Sequence, residues 1–105
     1  VAGAFSQVQT EASGPVVWKM SESLILTCHI SGVSITNSSY AWDWVRQSPS
    51  RDLQHIALLY PFTGLQHIAS SFQTRVTSSA DPSRNQLLLE VLSPSAEDTA
   101  TYFCS

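Results

Sequence analysis

The sequence predicts an all-β domain in which two antiparallel sheets pack face to face. Apolar and polar residues alternate along several short segments, turn-forming residues separate the segments, and no longer stretch has helical spacing. In addition, Trp44 lies between two distant cysteines, Cys28 and Cys104. This arrangement suggests two sheets that are pinned together over an indole ring.

Length and composition indicate one small globular domain. The chain has 105 residues, of which 43% are hydrophobic and 12% are charged, and its net charge is −3. This composition argues against a disordered chain, and the charge argues against nucleic acid as a partner. No apolar run approaches the roughly 20 residues needed to span a bilayer.

The two cysteines indicate a structural role. A Cys-only metal site needs about four ligands, so these two are too few. Two distant cysteines in a small domain suggest one disulfide and an oxidising compartment; two free buried thiols are the alternative. In the loop-entropy description such a bridge destabilises the unfolded chain by ~4–5 kcal/mol.

Each strand is predicted from its own alternation. From residue 23 to 30, Cys28 and every second residue before it point to one face, and Trp42, Trp44 and Arg46 share a face of the next strand. Further strands are predicted at 54–60, 65–69, 76–80 and 86–92, and a last one ends at Cys104. Turns are predicted at 48–52, 61–64, 81–85 and 94–98, the last with a helical turn.

These residues resemble the variable-type immunoglobulin domain, the V-set, and within it antibody heavy-chain variable segments. The resemblance covers residues 7–104 and is carried by Cys28, Trp44, Trp44-Val45-Arg46-Gln47-Ser48-Pro49, Arg75-Val76-Thr77 and Asp98-Thr99-Ala100-Thr101-Tyr102-Phe103-Cys104. It implies a Greek-key β-sandwich whose final strand is missing. Residues 1–6 are then expected to be a leader remnant or added residues. Residues 7–105 are expected to be a variable domain that ends before its third hypervariable loop.

The resemblance implies roles for the framework residues. Cys28 and Cys104 are expected to form the disulfide, with Trp44 in the core. Tyr102 is expected to form a tyrosine corner, in which its hydroxyl bonds back to the preceding backbone. Arg75 and Asp98 are expected to form a salt bridge that closes the bottom of the sandwich.

The resemblance also places hypervariable loops at 33–40 and 60–68. Their candidate antigen contacts are Ser34, Thr36, Asn37, Ser38, Ser39, Tyr40, Tyr60, Phe62, Thr63 and Leu65. The aromatic members are the best candidates, because they supply large contact area at low entropy cost. The alternative is that they pack beneath their own loops.

A partner-chain face is implied at Gln47, Asp52, Leu53 and His55. Heavy-chain variable domains usually carry Gly, Leu, Glu and Trp where this chain has residues 52–55. Asp52 and His55 make the face wetter than one that packs on a light chain, since interface cores are poor in charge. The domain is therefore expected to be either unpaired or unusually paired.

Other motifs were weighed for chemistry. Asn37-Ser38-Ser39 is a glycosylation sequon, with a plain polar turn as the alternative. His29, His55 and His67 show no ligand spacing and no adjacent carboxylate, so no metal or cofactor is expected. No serine lies in a nucleophile-elbow motif, so we do not expect an enzyme.

The sequence thus predicts a secreted or cell-surface domain that binds protein or another antigen through its loops. A second variable domain, from a light chain or receptor chain, is the other expected partner. The alternatives are a T-cell receptor variable domain that uses a heavy-chain-like segment and a non-rearranging V-set adhesion or accessory domain.

Overall fold

The computed structural model describes residues 23–37, 40–49 and 51–105. The predicted boundary between residues 6 and 7, and the loop residues Ser38 and Ser39, lie outside the described residues. The strands are β1 (Leu24–His29), β2 (Trp42–Ser48), β3 (Arg51–Tyr60), β4 (Leu65–Ile68), β5 (Val76–Asp81), β6 (Gln86–Val91) and β7 (Thr101–Cys104). In the described part of the chain, the 3-10 helices Ser70–Phe72 and Ala96–Asp98 lie between strands.

The strands form two antiparallel sheets, so the predicted all-β sandwich is confirmed. One sheet has the order β1-β6-β5 and the other has the order β4-β3-β2-β7. In the first sheet Cys28 lies opposite Leu87, and in the second Trp44 lies opposite Cys104. The two cysteines therefore belong to different sheets.

The core lies between the sheets, where the period-two alternation places it. The alternation in β1 and β6 buries every second residue, and Trp42 and Trp44 are both almost completely buried. The predicted Cys28–Cys104 disulfide joins the sheets, with 6.5 Å between the Cα atoms. It closes a sequence separation of 76 residues, which restricts the unfolded chain.

The predicted turn at 48–52 was too long. β2 continues to Ser48 and β3 begins at Arg51, and these two residues pair across the ladder beyond a register shift. The first three residues of β3 are all exposed, so they show no alternation. A strand with both faces in water has no periodic pattern that a sequence reader can detect.

Register places the candidate loops at one end of the sandwich. Trp42, which follows the first loop, pairs with Leu59, just before the turn at residues 61–64. The β5–β6 turn lies at the same end, because His29 pairs with Gln86. We call this the loop end. The opposite end, where β7 begins and the Ala96–Asp98 helix lies, is called the base end.

Candidate functional site

The first loop, residues 33–40, has an inner anchor and an outer turn. Ile35 is almost completely buried and belongs to the core cluster, whereas Ser34 and Asn37 are exposed. The Asn37 backbone N–H donates to the Ser34 carbonyl at 3.0 Å, and the hydroxyls of Ser34 and Thr36 lie 3.1 Å apart. Of the predicted contact residues in this loop, Ser34, Thr36 and Asn37 therefore lie on or beside its turn.

Asn85, in the β5–β6 turn, holds the first loop in place. Its side-chain amide donates to the carbonyls of Ile30 and Val33 at 2.6 and 2.8 Å, and its Oδ1 accepts from the Ile35 N–H at 2.9 Å. Sequence analysis placed Asn85 in a turn and did not predict this role. An Asn in a turn is common, and its distant partners are about 50 residues away in sequence, so only the fold could show the contact.

The second loop is a tight hairpin between β3 and β4. Tyr60 and Leu65 pair across the hairpin, and the Gly64 N–H donates to the Tyr60 carbonyl at 2.8 Å. Gly64 has a φ of +79°, which a residue without a side chain adopts without strain. Thr63 Oγ1 accepts from the Leu65 N–H at 3.3 Å.

The aromatic candidates separate into two groups. Phe62 and Leu65 are 65% and 67% exposed, and Tyr60 is also exposed, so the hairpin presents apolar side chains to solvent. Tyr40 is half-buried and packs against the core. The alternative that the aromatics pack beneath their loops therefore describes Tyr40, and the outward surface belongs to the hairpin.

The predicted partner-chain face is the outer surface of the four-stranded sheet. Gln47, Asp52 and Leu53 are all exposed, Leu53 at 58%. Phe103 on β7 also faces outward, is 38% exposed and lies opposite Val45. Sequence analysis did not single out Phe103, although its alternation with the buried Tyr102 and Cys104 was a usable signal.

His55 on this face has a carboxylate partner that is not adjacent to it in the sequence. His55 Nε2 lies 2.8 Å from Asp43 Oδ1. The two residues are 12 apart in sequence, and adjacent antiparallel strands with a register shift between Trp44 and Val45 bring them together. Among the described residues no group of three or more His, Cys, Asp or Glu side chains could hold a metal ion.

The base end is built around Asp98, whose carboxylate is completely buried. Arg75 approaches it with both terminal nitrogens, so the expected partners lie in contact. Arg46 Nη1 donates to Oδ1 at 2.8 Å, and the Ser95 N–H donates to Oδ2 at 2.9 Å. Both carboxylate oxygens are thus satisfied, which a buried charge requires.

Arg46 is the member of this cluster that sequence analysis missed. The alternation placed it on the inward face with Trp42 and Trp44, and an inward guanidinium needs a charged partner. Its Cζ lies 4.8 Å from the centre of the Phe72 ring, and Arg75 lies 5.7 Å from the same ring. Phe72 therefore offers its π face to two cations that share one carboxylate.

The charged groups in this cluster shift one another's pKa values. Burial raises the pKa of the Asp98 carboxyl, but hydrogen bonds from Arg75 and Arg46 outweigh it, so the pKa lies below its ordinary value. Burial lowers the pKa of Arg46, but the hydrogen bonds to Asp98 and Tyr102 leave it raised. Asp98 and Arg46 are therefore both charged at neutral pH.

Tyr102 connects this cluster to the helical turn before it. Its hydroxyl donates to the Asp98 carbonyl at 2.6 Å and accepts from Arg46 Nη1 at 3.1 Å. Burial raises the pKa of the Tyr102 hydroxyl, which keeps it protonated and able to donate. This is the bond back to the preceding corner that the resemblance implied.

Comparison with known proteins decides the family. The family model described as immunoglobulin V-set domain matches residues 11–105. The chain is an immunoglobulin V-set domain. It is 43% identical over 105 residues to "Immunoglobulin heavy variable 3-5" of Mus musculus, which covers 100% of this chain and 89% of that relative.

Two further relatives of this V-set domain are heavy chains. "Ig heavy chain V region MOPC 315" of Mus musculus is 41% identical over 105 residues, which is 100% of this chain and 75% of the relative. "Immunoglobulin delta heavy chain" of Homo sapiens is 44% identical over 99 residues, 94% of this chain and 19% of the relative. Within residues 23–37, 40–49 and 51–105, no helix has the length and apolar character to cross a membrane.

Proposed function

We propose that this V-set domain recognises antigen as part of an adaptive immune receptor, in the manner of an immunoglobulin heavy chain. We take residues 7–105 as the domain, secreted or displayed on the outer side of the plasma membrane. It acts by binding and not by catalysis. The antigen is protein or another molecule that contacts the loop end.

The observation that carries this proposal is the exposure of the β3–β4 hairpin. Phe62 and Leu65 are 65% and 67% exposed, yet the hairpin is held by backbone bonds between Tyr60 and Gly64. Large apolar side chains on a rigid turn supply contact area with little loss of entropy on binding. Loops on a rigid scaffold are also where binding residues concentrate.

The similarity to heavy variable regions supports the receptor assignment. A T-cell receptor variable domain and a non-rearranging V-set accessory domain are the alternatives, and both use the same fold. Rearranging receptors and accessory domains differ in the sequence that is joined to the variable segment. A rearranging receptor carries a different junction in each lymphocyte clone, whereas an accessory domain carries one fixed strand.

Reading transcripts past the codon for Ser105 in single lymphocytes tests the proposal. We expect many clone-specific junctions, followed by constant regions of immunoglobulin heavy-chain type. A single invariant continuation in every cell would overturn antigen recognition by a rearranging receptor. Junctions joined to a T-cell receptor constant region would replace the heavy-chain assignment with the first alternative.

We further propose that the partner-chain face does not take a conventional light-chain domain. Leu53 and Phe103 supply apolar area, but Asp52 is exposed and the Asp43–His55 pair occupies the neighbouring surface. Burying these polar groups against an apolar partner would remove them from water without new hydrogen bonds, which is unfavourable.

Mixing the domain with a light-chain variable domain, followed by sedimentation analysis, tests this second proposal. We expect no stable complex at micromolar concentration. The matched variant Asp52→Gly/His55→Trp restores the residues usual in heavy chains and should gain association. A tight 1:1 complex of the unmodified domain, lost when Gln47 or Leu53 is replaced by Arg, would contradict the proposal.

A further inference from the structure

We propose that Asn85 is the positioning residue of the first hypervariable loop. The inference rests on the proposed function only in treating this loop as an antigen-contacting one. Asn85 lies outside both loops, in the turn that joins β5 to β6. It nevertheless makes four hydrogen bonds to the segment that leaves β1, three through its side chain and one through its carbonyl.

These bonds fix the path of the loop. The carbonyl of Asn85 accepts from the Ile30 N–H at 3.0 Å, which continues the ladder by one residue beyond β1. The side-chain amide then reaches the Ile30 and Val33 carbonyls and the Ile35 N–H. Backbone polar groups that no longer pair in a sheet are thus satisfied by one side chain.

The chemistry of the position is met by asparagine in particular. Asn85 has a φ of +54°, in the left-handed region that Asn tolerates better than most residues with a side chain. The three side-chain bonds use two N–H donors and one oxygen acceptor. Glycine adopts the same φ but has no amide, and aspartate has the shape but presents no donor when ionised.

The clamp divides the loop into a fixed part and a presented part. Ile35 is 1% exposed, so its side chain anchors the loop in the core directly beside the clamped N–H. Two residues later Asn37 is exposed on the outer turn. Substitutions at the exposed positions should therefore leave the backbone path of the loop unchanged. A substitution at Asn85 should alter that path, and so affect binding of every antigen that contacts the loop.

Amide hydrogen exchange measured by NMR on the intact domain tests this role without an antigen. Asn85→Gly keeps the backbone conformation and removes the amide. We expect exchange of the Ile35 N–H to accelerate about thirtyfold, since opening the loop no longer breaks three side-chain hydrogen bonds, which are together worth about 2 kcal/mol. The Leu92 N–H, which donates to the Arg75 carbonyl at 2.7 Å at the base end, should accelerate less, because local opening at that end does not break the loop bonds.

Two further variants distinguish positioning from general stability. The substitution Asn85→Asp replaces two donors with an acceptor that faces two carbonyls, and it should accelerate Ile35 exchange further. Arg84→Ala, in the same turn, is the matched control and should have no effect, because the Arg84 side chain is 75% exposed. Unchanged Ile35 exchange in Asn85→Gly, or equal acceleration at Ile35 and Leu92, would overturn the proposal.

A different observation carries a second proposal: we infer that Asn37 is an N-glycosylation site. Asn37-Ser38-Ser39 is a sequon, and Asn37 is exposed on the outer turn of the clamped loop. In the secretory pathway a lipid-linked oligosaccharide diphosphate is the donor. The Asn37 Nδ2 loses a proton and bonds to the anomeric carbon of the sugar, whose bond to the diphosphate breaks, so that the lipid diphosphate leaves.

Mass spectrometry of material secreted from mammalian cells tests this modification. Ser38→Ala keeps the sequon and Ser39→Ala destroys it, so the two variants form a matched pair. We expect a glycopeptide at Asn37 in the unmodified domain and in Ser38→Ala, and an unmodified peptide in Ser39→Ala. An unmodified Asn37 in the first two proteins would overturn the inference, and the antigen-binding proposal would be unaffected.

Discussion

The two ends of the sandwich are held by different kinds of interaction. At the base end a buried carboxylate, Asp98, is paired with Arg46 and Arg75. At the loop end the neutral amide of Asn85 satisfies three backbone groups. Breaking a buried ion pair leaves an uncompensated charge, whereas losing a neutral hydrogen bond costs much less. Removing one partner is therefore expected to destabilise the domain more at the end away from the proposed binding surface.

The largest effect is expected from Asp98→Ala. This change leaves two guanidinium groups and the Ser95 N–H without their acceptor, so unfolding free energy should fall by about 3–5 kcal/mol. Urea unfolding followed by fluorescence measures the loss. Asp81→Ala is the control, since its ion pair with Arg84 spans 3.7 Å at the surface and should change little. Equal losses in both variants would remove the distinction between the ends.

Acid should affect the base end in particular. The pKa of Asp98 is lowered in the folded state, so its contribution to stability is present above the ordinary Asp value and is lost as pH falls through the lowered pKa. We expect the unfolding free energy to decrease below about pH 4. The variant Asp98→Asn should give a lower and flatter profile across the same range. If the unfolding free energy of the variant fell with pH as steeply as that of the unmodified domain, the acid sensitivity would belong to other carboxyl groups.

A smaller loss is expected at the loop end. Asn85→Gly should lower the unfolding free energy by about 2 kcal/mol, because three hydrogen bonds are lost while the backbone conformation is retained. The same urea titration as for Asp98→Ala measures it. A loss as large as that of Asp98→Ala would contradict the proposed asymmetry.

The smallest effect should be a gain in stability, from a substitution at a position between the two ends. Ser78 is buried, and its hydroxyl has no hydrogen-bond partner among the described residues. Removing it with Ser78→Ala should raise the unfolding free energy by about 1 kcal/mol, since an unsatisfied buried hydroxyl is destabilising. Ser79→Ala, on the exposed face of the same strand, is the control. A loss of stability in Ser78→Ala would show that the hydroxyl is satisfied.

Much of the fold could be predicted because it depends on alternation. In β6 the inward residues Leu87, Leu89 and Val91 were predicted from period two and are buried. The start of β3 was not, because its first residues are exposed on both faces and carry no periodic signal. The disulfide between the sheets followed from cysteine spacing and is present.

Contacts in the site could be predicted only where the family resemblance assigns the residue a role, or where the strand alternation shows which face the residue lies on. Arg75 and Asp98 were matched through the resemblance, and their contact is present in the structure. The Asp43–His55 pair and the Asn85 clamp depend on register and on a turn conformation that the sequence does not encode locally. Arg46 could have been found, since a charged residue on an inward face demands a buried partner.

The cluster around Asp98 also couples distant parts of the chain. Its members come from three stretches of the chain: Arg46, Arg75 and Tyr102 contact Asp98, and Phe72, three residues before Arg75, packs against both guanidinium groups. The contact between Arg75 and Asp98 forms only when both layers have closed, because Arg75 precedes β5 in one sheet and Asp98 precedes β7 in the other, so a half-closed chain leaves the carboxylate with one charged partner fewer. The cluster thus favours complete closure of the two sheets over partial closure, whatever residues the loop end presents.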